Sequence, residues 1–274
     1  MINKKIGFIG AGNMAYSLIG GLIANGCRND LICISDSSSE RRNAVCSTFS
    51  IQQCDNNIAL AEQVDIIILA VKPQVLKQVC AEIQASVQQN SPLIVSIAAG
   101  ITSTSINQWL GGQQAIVRTM PNTPALVQSG ATALYANSAV DDEQKTIAES
   151  AMRAVGLTLW LDNEAQMDAV TAVSGSGPAY FFLVIEAIED SAVKLGLDKK
   201  TAHLLAVQTA LGAAKMALES DDSATTLREK VTSPGGTTEK AIGILNNGDL
   251  VGLFNQALSG AKQRSIELSE ILGK

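Results

Sequence analysis

The chain of 274 residues is 46% hydrophobic and 17% charged, so it can bury a sizeable core and is not a disordered protein. A net charge of −6 and an aromatic content of 4% argue against a general nucleic-acid binder, which needs a basic surface and stacking side chains. The length allows one large domain or two ordinary ones. His203 is the one histidine of the sequence, which excludes sites built on two or three histidines from one chain.

The first half of the chain alternates short apolar runs with helical patterns. Strands are predicted at Ile6–Ile9, Leu31–Ile34, Val64–Val71, Leu93–Ala98, Ala115–Thr119, Ala131–Tyr135 and Thr158–Leu161. Helices are predicted at Met14–Ala24, Glu40–Phe49, Gln74–Val87 and Glu143–Val155. Because the strands are continuous apolar runs that alternate with helices, they indicate a mostly parallel, doubly wound α/β sheet covered on both faces.

A glycine-rich segment, Gly10-Ala11-Gly12-Asn13-Met14-Ala15, follows the first predicted strand and opens the first helix. In this G-x-G-x-x-A pattern Gly10 allows a tight turn, and Gly12 lets a pyrophosphate approach the backbone. Ala15 allows the helix to pack closely on the strand, and the helix N-terminus attracts the anion. Its place between strand and helix makes the motif a specific prediction of a Rossmann-type dinucleotide-binding domain, over residues 1–161.

The segment after the second strand bears on the choice between NADH and NADPH. Asp36 lies roughly 20 residues past the glycines, where a carboxylate accepts from both ribose hydroxyls and favours NADH. Ser37, Ser38 and Ser39 follow at once, with Arg41 and Arg42 close behind, and such side chains suit a 2′-phosphate. The serines fit a capped helix start equally well, so the cofactor choice stays open.

Three more segments are expected at the carboxyl ends of strands, where an open α/β sheet binds its ligand. The third predicted strand ends in Ala70–Pro73 and the fourth ends in Ala98–Gly100, and their small residues leave room for a dinucleotide. Met120–Pro124 is a rigid, polar loop after the next strand. This loop either lines the nicotinamide end of the site or is a structural turn.

After about residue 162 the strand patterns stop, which predicts an all-α domain over residues 162–274. Helices are predicted at Asn163–Thr171, Ala179–Leu195, Lys199–Leu218, Thr225–Val231, Thr238–Asn246 and Leu250–Leu272. The stretches Tyr180–Ile185 and Ala202–Leu218 are apolar nearly all round, and such helices must be buried on every side. A small domain can hardly bury both, so helices of a second copy are expected to cover them in an intertwined homodimer. The alternative is a well-packed core within one chain.

Two loops of the helical half contain glycine and hydroxyl residues at a helix start. Ser174–Tyr180 separates two predicted helices, and Ser233–Thr238 does the same further along. Backbone N–H groups exposed at such a start can bind a carboxylate. Plain helix capping is the alternative for each loop.

The cysteines bear on the compartment of the protein. They are Cys27, Cys33, Cys46, Cys54 and Cys80, an odd number without CxxC spacing. They predict reduced thiols in a cytoplasmic protein, with neither a disulfide framework nor a metal site. The N-terminus lacks a leader pattern, and the uncharged stretch Ala169–Ile185 is expected to be broken by Ser174–Pro178 and so not to span a membrane.

Taken together, five motifs in order resemble pyrroline-5-carboxylate reductase, the last enzyme of proline biosynthesis, over essentially the whole chain. The motifs are Phe8–Met14, Ala70–Pro73, Arg118–Pro124, Ser174–Tyr180 and, most specific, Val231–Thr238. The resemblance implies an N-terminal Rossmann domain, a helical dimerisation domain and assembly that often reaches a decamer. It also implies hydride transfer from NADPH or NADH to the C=N bond of 1-pyrroline-5-carboxylate, giving L-proline.

The resemblance further implies roles for particular residues. The loop from Ser233 holds the substrate carboxylate, the hydroxyl of Thr238 bonds the ring nitrogen, and Glu164 lies by the substrate. Asn57 and Lys230 lie near the cofactor. Many members carry serine or threonine where this chain has Asp36. The family's usual preference for NADPH and the carboxylate of Asp36 therefore point to different cofactors.

Two sets of site residues are therefore predicted. The substrate set is Glu164, Ser233, Gly236, Thr237 and Thr238, with Thr238 as the catalytic residue. The cofactor set is Ile9, Gly10, Ala11, Gly12, Asn13, Met14, Ser35, Asp36, Ser38, Asn57, Ala70, Val71, Lys72, Pro73, Ala98, Ala99, Gly100, Met120 and Lys230.

Two other functions remain as alternatives. A 3-hydroxyacid dehydrogenase shares the Rossmann-plus-helical plan, but it uses a helix lysine just after a Ser-Gly loop, and here the first lysine of that helix is Lys194, too far along. A non-enzymatic nucleotide-binding protein has no need of the Ser233–Thr238 loop beside a complete cofactor motif.

Overall fold

The structure, a computed structural model, describes residues 2–273. Its contacts divide the chain into two compact units. The first unit runs up to Ser176 and takes up the chain again at Gly260, and the second unit is Gly177–Ser259. The last strand ends at Trp160, next to the domain boundary predicted at residue 161. The compact units divide later, after Ser176, so that boundary stays a prediction.

The described part of the first unit contains one eight-stranded sheet. The strands are β1 (Ile6–Ile9), β2 (Ile32–Ser35), β3 (Gln52–Gln53), β4 (Ile66–Leu69), β5 (Leu93–Ser96), β6 (Ile116–Met120), β7 (Gly130–Ala136) and β8 (Gly156–Trp160). Their spatial order is β3-β2-β1-β4-β5-β6-β7-β8, and the pairing is parallel except between β6 and β7. The chain reverses direction across the sheet between β1 and β4, and this switch point is where open α/β sheets bind ligands. The predicted mostly parallel, doubly wound sheet is confirmed.

The helices of the first unit cover both faces of the sheet. They are α1 (Asn13–Ala24), α2 (Ser39–Phe49), α3 (Asn57–Ala61), α4 (Pro73–Asn90), α5 (Ser103–Trp109) and α6 (Asp142–Arg153), and the unit also contains α7 (Met167–Val170) and the end of α12 (Leu250–Leu272). Alternate strand residues point to opposite faces, so Ile66 and Ile68 of β4 belong to one apolar cluster while Ile67 and Leu69 belong to the other. Each cluster is closed by its own helices, which is why the strands read as continuous apolar runs.

The sequence missed three short elements of the first unit: β3, α3 and α5. β3 is two glutamines long, and α3 and α5 have five and seven residues. Segments of this length do not complete an apolar period, so side-chain hydrogen bonds at their starts specify the two helices instead. Asn56 caps α3 by accepting from the N–H of Ala59, and Thr102 caps α5 by accepting from the N–H of Ser105.

The second unit is helical, as predicted. Its helices are α8 (Gly177–Lys194), α9 (Lys199–Glu219), α10 (Ala224–Lys230), α11 (Thr237–Asn247) and the first part of α12 (Leu250–Leu272). Most of the large apolar residues of α8 and α9 are not covered within the chain: Phe181 is 70% exposed and Leu218 is 79% exposed. The alternative of a plain core for these helices is therefore wrong. Exposed apolar residues grouped on neighbouring helices are typical of an interaction surface.

Residues 164–194 form a helical run whose most apolar window has a mean hydropathy of 1.3 and is 11% buried. Among the described residues this run is the one long and apolar enough to cross a membrane by length and composition, a test that buried and interface helices also pass. The expected break at 174–178 is reduced to a bend at Ser176, because Thr171–Gly175 continues the helix as a π-helix.

Candidate active site

The turn after β1 has the geometry that a bound pyrophosphate requires. Gly10 has a φ of +107°, and a Cβ on it would lie 2.4 Å from the carbonyl oxygen of Ala70. Gly12 is the N-cap of α1, and apart from Gly12 itself and its neighbours along the chain no atom of the described residues lies within 4 Å of the place a Cβ would take there. The start of α1 therefore has room for an anion beside its first backbone N–H groups.

The neighbours of these glycines are arranged as the motif predicts. Ile9 is the buried last residue of β1, and Asn13 and Met14 form the first turn of α1. Ala15 is completely buried, which is the close packing of helix on strand that a small residue permits. The residues of the structure thus fit a dinucleotide at this turn.

Asp36 lies just after β2 and bonds across to the glycine loop. Its Oδ2 accepts from the backbone N–H of Ala11 at 2.7 Å. Its Oδ1 accepts from the N–H of Ser38 at 2.7 Å and from Nη2 of Arg41 at 2.9 Å. Burial alone would raise the pKa of Asp36, but these donors outweigh it and lower the pKa below its ordinary value. The carboxylate is thus both a fixed negative charge and a brace of the glycine loop.

Two serines at and after the end of β2 make hydrogen bonds within the protein. Ser38 is the N-cap of α2, and its hydroxyl accepts from the N–H of Arg41 at 3.3 Å, which confirms the capping interpretation for this residue. Ser35 donates to Oδ1 of Asn57 at 2.8 Å, and Nδ2 of Asn57 donates to Glu82 at 2.8 Å. The predicted cofactor residues Ser35 and Asn57 are therefore brought together at the carboxyl end of β2.

Three further predicted cofactor segments follow strands of the sheet. Ala70 continues from β4 and donates its N–H to the carbonyl of Ile9 at 2.8 Å. Val71 and Lys72 lead into α4, which begins at Pro73. Ala98, Ala99 and Gly100 follow β5, and Gly100 has a φ of +72°. Met120 ends β6. Because β1, β4, β5 and β6 run parallel, these ends lie along one edge of the sheet.

The loop after β6 is tied to the π-helical turn, a link that sequence reasoning missed. Asn122 donates from Nδ2 to the carbonyl oxygen of Ser174 at 3.1 Å and accepts on Oδ1 from the N–H of Ala131 at 2.9 Å. The methyl end of Met120 lies against Gly175, where a Cβ would approach it to 2.6 Å. The segments around residues 120 and 174 thus contact each other within the first unit through a hydrogen bond and a side-chain packing contact.

Glu164 is held by partners that are far from it in sequence. Its carboxylate accepts from the N–H of Ser103 at 2.6 Å, from the hydroxyl of Ser103 at 2.7 Å and from Nη1 of Arg118 at 3.0 Å. The side chain of Arg118 in β6 is 5% exposed, so this carboxylate compensates a buried charge while it also accepts from the first backbone N–H of α5. The structure therefore gives Glu164 a structural role, and its contact with substrate stays a prediction.

The predicted substrate loop forms a tight turn within the second unit. Gly236 donates its N–H to the carbonyl of Ser233 at 3.0 Å, and Gly235 has a φ of +72°. Gly235 donates its own N–H to Oε2 of Glu239 at 2.7 Å, a contact that the sequence did not reveal. Gly236 is the N-cap of α11 and has no side chain to cap it, so plain capping by a serine or threonine does not account for the turn.

Thr237 and Thr238 form the first turn of α11, where the backbone N–H groups lack helical acceptors. Gly235 and Gly236 line one side of a groove of about 350 Å³ that continues along α11 past Lys240. Lys230, the remaining predicted cofactor residue, ends α10 and pairs with Asp222. Ser233, Gly236, Thr237 and Thr238 thus come together, while Lys230 has a partner of its own in the second unit.

These features define the class of the protein. A parallel sheet with a strand–glycine turn–helix unit, an acidic residue after β2 and small residues at the neighbouring strand ends is a dinucleotide-binding fold. Residues 5–100 match the family model for NADP oxidoreductase, coenzyme F420-dependent. The chain is an oxidoreductase with a Rossmann-type NADP-binding domain.

Comparison with known proteins identifies the family. Residues 164–268 match the model for pyrroline-5-carboxylate reductase dimerisation. The pyrroline-5-carboxylate reductase of Pseudomonas aeruginosa is 50% identical over 274 residues, which is 100% of both chains. The structure of the reductase from Coxiella burnetii has a TM-score of 0.94 at 47% identity, covering 98% of this chain and 99% of that one. The Plasmodium falciparum enzyme, solved with NADP bound, has a TM-score of 0.87 at 30% identity, covering 98% and 99%. The chain belongs to the pyrroline-5-carboxylate reductase family, as its motifs predicted.

Proposed function

We propose that this chain reduces 1-pyrroline-5-carboxylate to L-proline with NADPH or NADH, as the last step of proline biosynthesis. The observation that carries the proposal is the open helix start at Gly12, which fits a pyrophosphate, in a chain of this family. The tight turn Ser233–Thr238 at the start of α11 supports it, because it presents backbone N–H groups to an anion.

The second unit binds the substrate in this proposal. The substrate carboxylate accepts from the N–H groups at the start of α11, and the helix dipole adds to the attraction. The hydroxyl of Thr238, one residue further along, fixes the ring nitrogen. The bonds between Gly236 and Ser233 and between Gly235 and Glu239 hold the turn before substrate arrives. Such orientation is worth about 7–11 kcal/mol of barrier in well-aligned reactions.

The chemistry asks little of the protein beyond this orientation. The electrophile reacts best as the protonated iminium, so hydride addition neutralises a positive charge and needs no oxyanion site. When bound, the nicotinamide supplies the hydride. The residues of the chain bind and orient the reactants, and the proton comes with the substrate or from water. His203 takes no part in this scheme: it lies on α9 and its Nδ1 is 2.9 Å from Glu189.

The choice between NADPH and NADH turns on Asp36 in this proposal. Its carboxylate is 7% exposed and ionised, so it repels a 2′-phosphate bound beside it. Arg41, which is 59% exposed, offsets part of this charge. The family and the nearby arginines favour NADPH slightly, and the carboxylate favours NADH.

Asp36→Ser is expected to raise the preference for NADPH over NADH. One like charge at about 4 Å is worth roughly 1–4 kcal/mol, so the ratio of the two kcat/KM values should rise about tenfold or more. Steady-state kinetics with both cofactors measure it. Asp30→Ser is the matched control, because Asp30 also pairs with an arginine but precedes β2 instead of following it. Equal ratios before and after would reject Asp36 as the residue that reads the ribose.

The assembly is proposed to be a homodimer that can associate further, up to a decamer. The uncovered apolar residues of α8 and α9 support a second copy as the partner, since a helix without a polar face needs burial on every side. A cytoplasmic location is proposed with it, in keeping with five unpaired cysteines.

A direct assay tests the proposed reaction. Oxidation of NADPH and NADH is followed with 1-pyrroline-5-carboxylate and, in parallel, with a panel of 3-keto acids, with 3-hydroxy acids assayed in the oxidising direction. We expect turnover with the pyrroline and none with the panel. Turnover of the panel alone would point to a 3-hydroxyacid dehydrogenase, and cofactor binding without any turnover would point to a nucleotide-binding protein.

A further inference from the structure

We propose that Asn122 is a positioning residue for the reductase reaction, holding the π-helical turn Thr171–Gly175 against the end of β6. The inference rests on the proposed function, since its kinetic readout is reduction of the pyrroline. It concerns a side chain that contacts no predicted ligand directly. Its two hydrogen bonds instead join the loop after β6, the start of β7 and the π-helical turn.

The need for Asn122 follows from the covalent structure of the turn. In a continuous helix the carbonyl of Ser174 accepts from the N–H of residue 178. Residue 178 is proline, which has no N–H, so this carbonyl loses its helical donor. Nδ2 of Asn122 donates to that same oxygen at 3.1 Å. The asparagine therefore replaces a bond that the sequence of the turn removes.

The turn itself has an unusual geometry that needs such support. Its π-helical bond runs from the N–H of Ser176 to the carbonyl of Thr171 at 2.8 Å. π-Helical turns are rare and occur mostly at functional sites. The hydroxyl of Ser174 also bonds back to the carbonyl of Val170 at 3.1 Å. Local bonds thus shape the turn, and Asn122 ties it to the sheet.

The position of the tie connects it to the reaction. Asn122 is two residues past Met120, which ends β6 at the cofactor edge of the sheet and packs on Gly175. Loss of the hydrogen bond between Asn122 and Ser174 removes a restraint on the π-helical turn and on the side chain of Met120 that packs against it. The glycine loop follows β1 and Asp36 follows β2, and the bond between them does not involve Asn122. Binding of the dinucleotide should therefore persist while the alignment for hydride transfer is lost.

Asn137, just past β7, is a matched control because its side chain bonds the backbone at the amino end of β6. Asn137 accepts on Oδ1 from the N–H of Ile116 at 3.1 Å and donates from Nδ2 to the carbonyl of Gln114 at 2.9 Å. Like Asn122, it is half-buried and uses both atoms of its amide on the backbone, but both bonds go to the single segment that leads into β6. It lies at the amino end of β6, whereas the cofactor edge is at the carboxyl end.

The test compares Asn122→Ala and Asn122→Asp with Asn137→Ala and Asn137→Asp in the full chain. The aspartate at residue 122 keeps an acceptor for the N–H of Ala131 but has no donor for Ser174. We measure kcat and KM with 1-pyrroline-5-carboxylate and the Kd of NADPH at a temperature well below the unfolding transition. The Tm of each variant is measured separately. For both Asn122 variants we expect kcat to fall about 10- to 100-fold with the NADPH Kd within about threefold of wild type, because small misplacements are costly.

The Asn137 variants should lose Tm to a similar degree and keep kcat within about twofold of wild type. Wild-type kcat in Asn122→Asp would overturn the inference, and so would a loss of kcat that follows Tm equally in both pairs of variants. If Asn122→Ala fails to fold, Asn122→Asp decides the question. Failure of wild type to reduce the pyrroline would instead overturn the proposed function. The tie to Ser174 is then judged by whether Asn122→Asp lowers Tm, and an unchanged Tm would reject it.

Discussion

Gly10→Ala is expected to destabilise the first unit by about 2–5 kcal/mol, combining left-handed backbone strain with overpacking. The φ of residue 10 is +107°, and the new Cβ would lie 2.4 Å from the carbonyl oxygen of Ala70. That oxygen belongs to the backbone after β4, so relief requires the strands to shift and not merely a side chain to turn. Denaturant unfolding measures the loss of stability. Substitutions at ordinary surface positions change the free energy of unfolding by less than about 1 kcal/mol, and a change that small for Gly10→Ala would contradict this account.

Gly12→Ala is the matched variant two residues away. Here the Cβ position is open, with no atom of the described residues other than Gly12 and its chain neighbours within 4 Å, and φ is −77°. The variant should unfold with nearly the wild-type free energy, within about 1 kcal/mol for a changed N-cap. Its Cβ would instead occupy the place where a pyrophosphate approaches the backbone, so the Kd of NADPH should rise about tenfold or more. An unchanged Kd would show that the pyrophosphate binds elsewhere.

Thr238→Ala is expected to lower kcat about 100-fold, the loss typical of a hydrogen-bonding group that acts on the reacting atoms. The hydroxyl lies in the first turn of α11, beside the N–H groups proposed to bind the substrate carboxylate. The variant should keep the Kd of NADPH, because the glycine loop is unchanged. Stopped-flow single turnovers separate hydride transfer from product release.

Thr238→Ser is the control for that variant, since it keeps the hydroxyl and removes only a methyl group. It should retain most of the wild-type kcat. If Thr238→Ala turned over at the wild-type rate, the role of this hydroxyl at the ring nitrogen would be wrong, whatever the serine variant showed.

The fold was predictable where the chain carries a long apolar period. β1 and α12 begin and end at the residues that the pattern predicted, and the ends of most other elements differ by one to three residues. α3 and α5 were missed because their starts are specified by single side-chain bonds, such as the one that Asn56 accepts from the N–H of Ala59, and β3 was missed because it is only two glutamines long. The direction of β7 was not predicted either, since an apolar run reads the same in both directions.

The site was predictable where one segment is sufficient to make it. The glycine turn at residues 10–12 and the turn at 233–236 are local, so glycine, proline and hydroxyl positions specify them. The partners of Glu164 were not predictable, because Ser103 and Arg118 lie 61 and 46 residues away in sequence. The bond from Asn122 to Ser174 spans 52 residues and has no local pattern.

The sequence by itself determined the class of fold, the place of the dinucleotide turn and the family, because these depend on backbone freedom and apolar period within short segments. Only the tertiary structure decided what the charged and amide side chains do. Asp36 braces Ala11, Glu164 compensates the buried Arg118 and Asn122 satisfies the carbonyl of Ser174. The physical reason is that a buried polar group must find a partner wherever the fold brings one, and that partner is set by the packing of strands and helices that are distant along the chain.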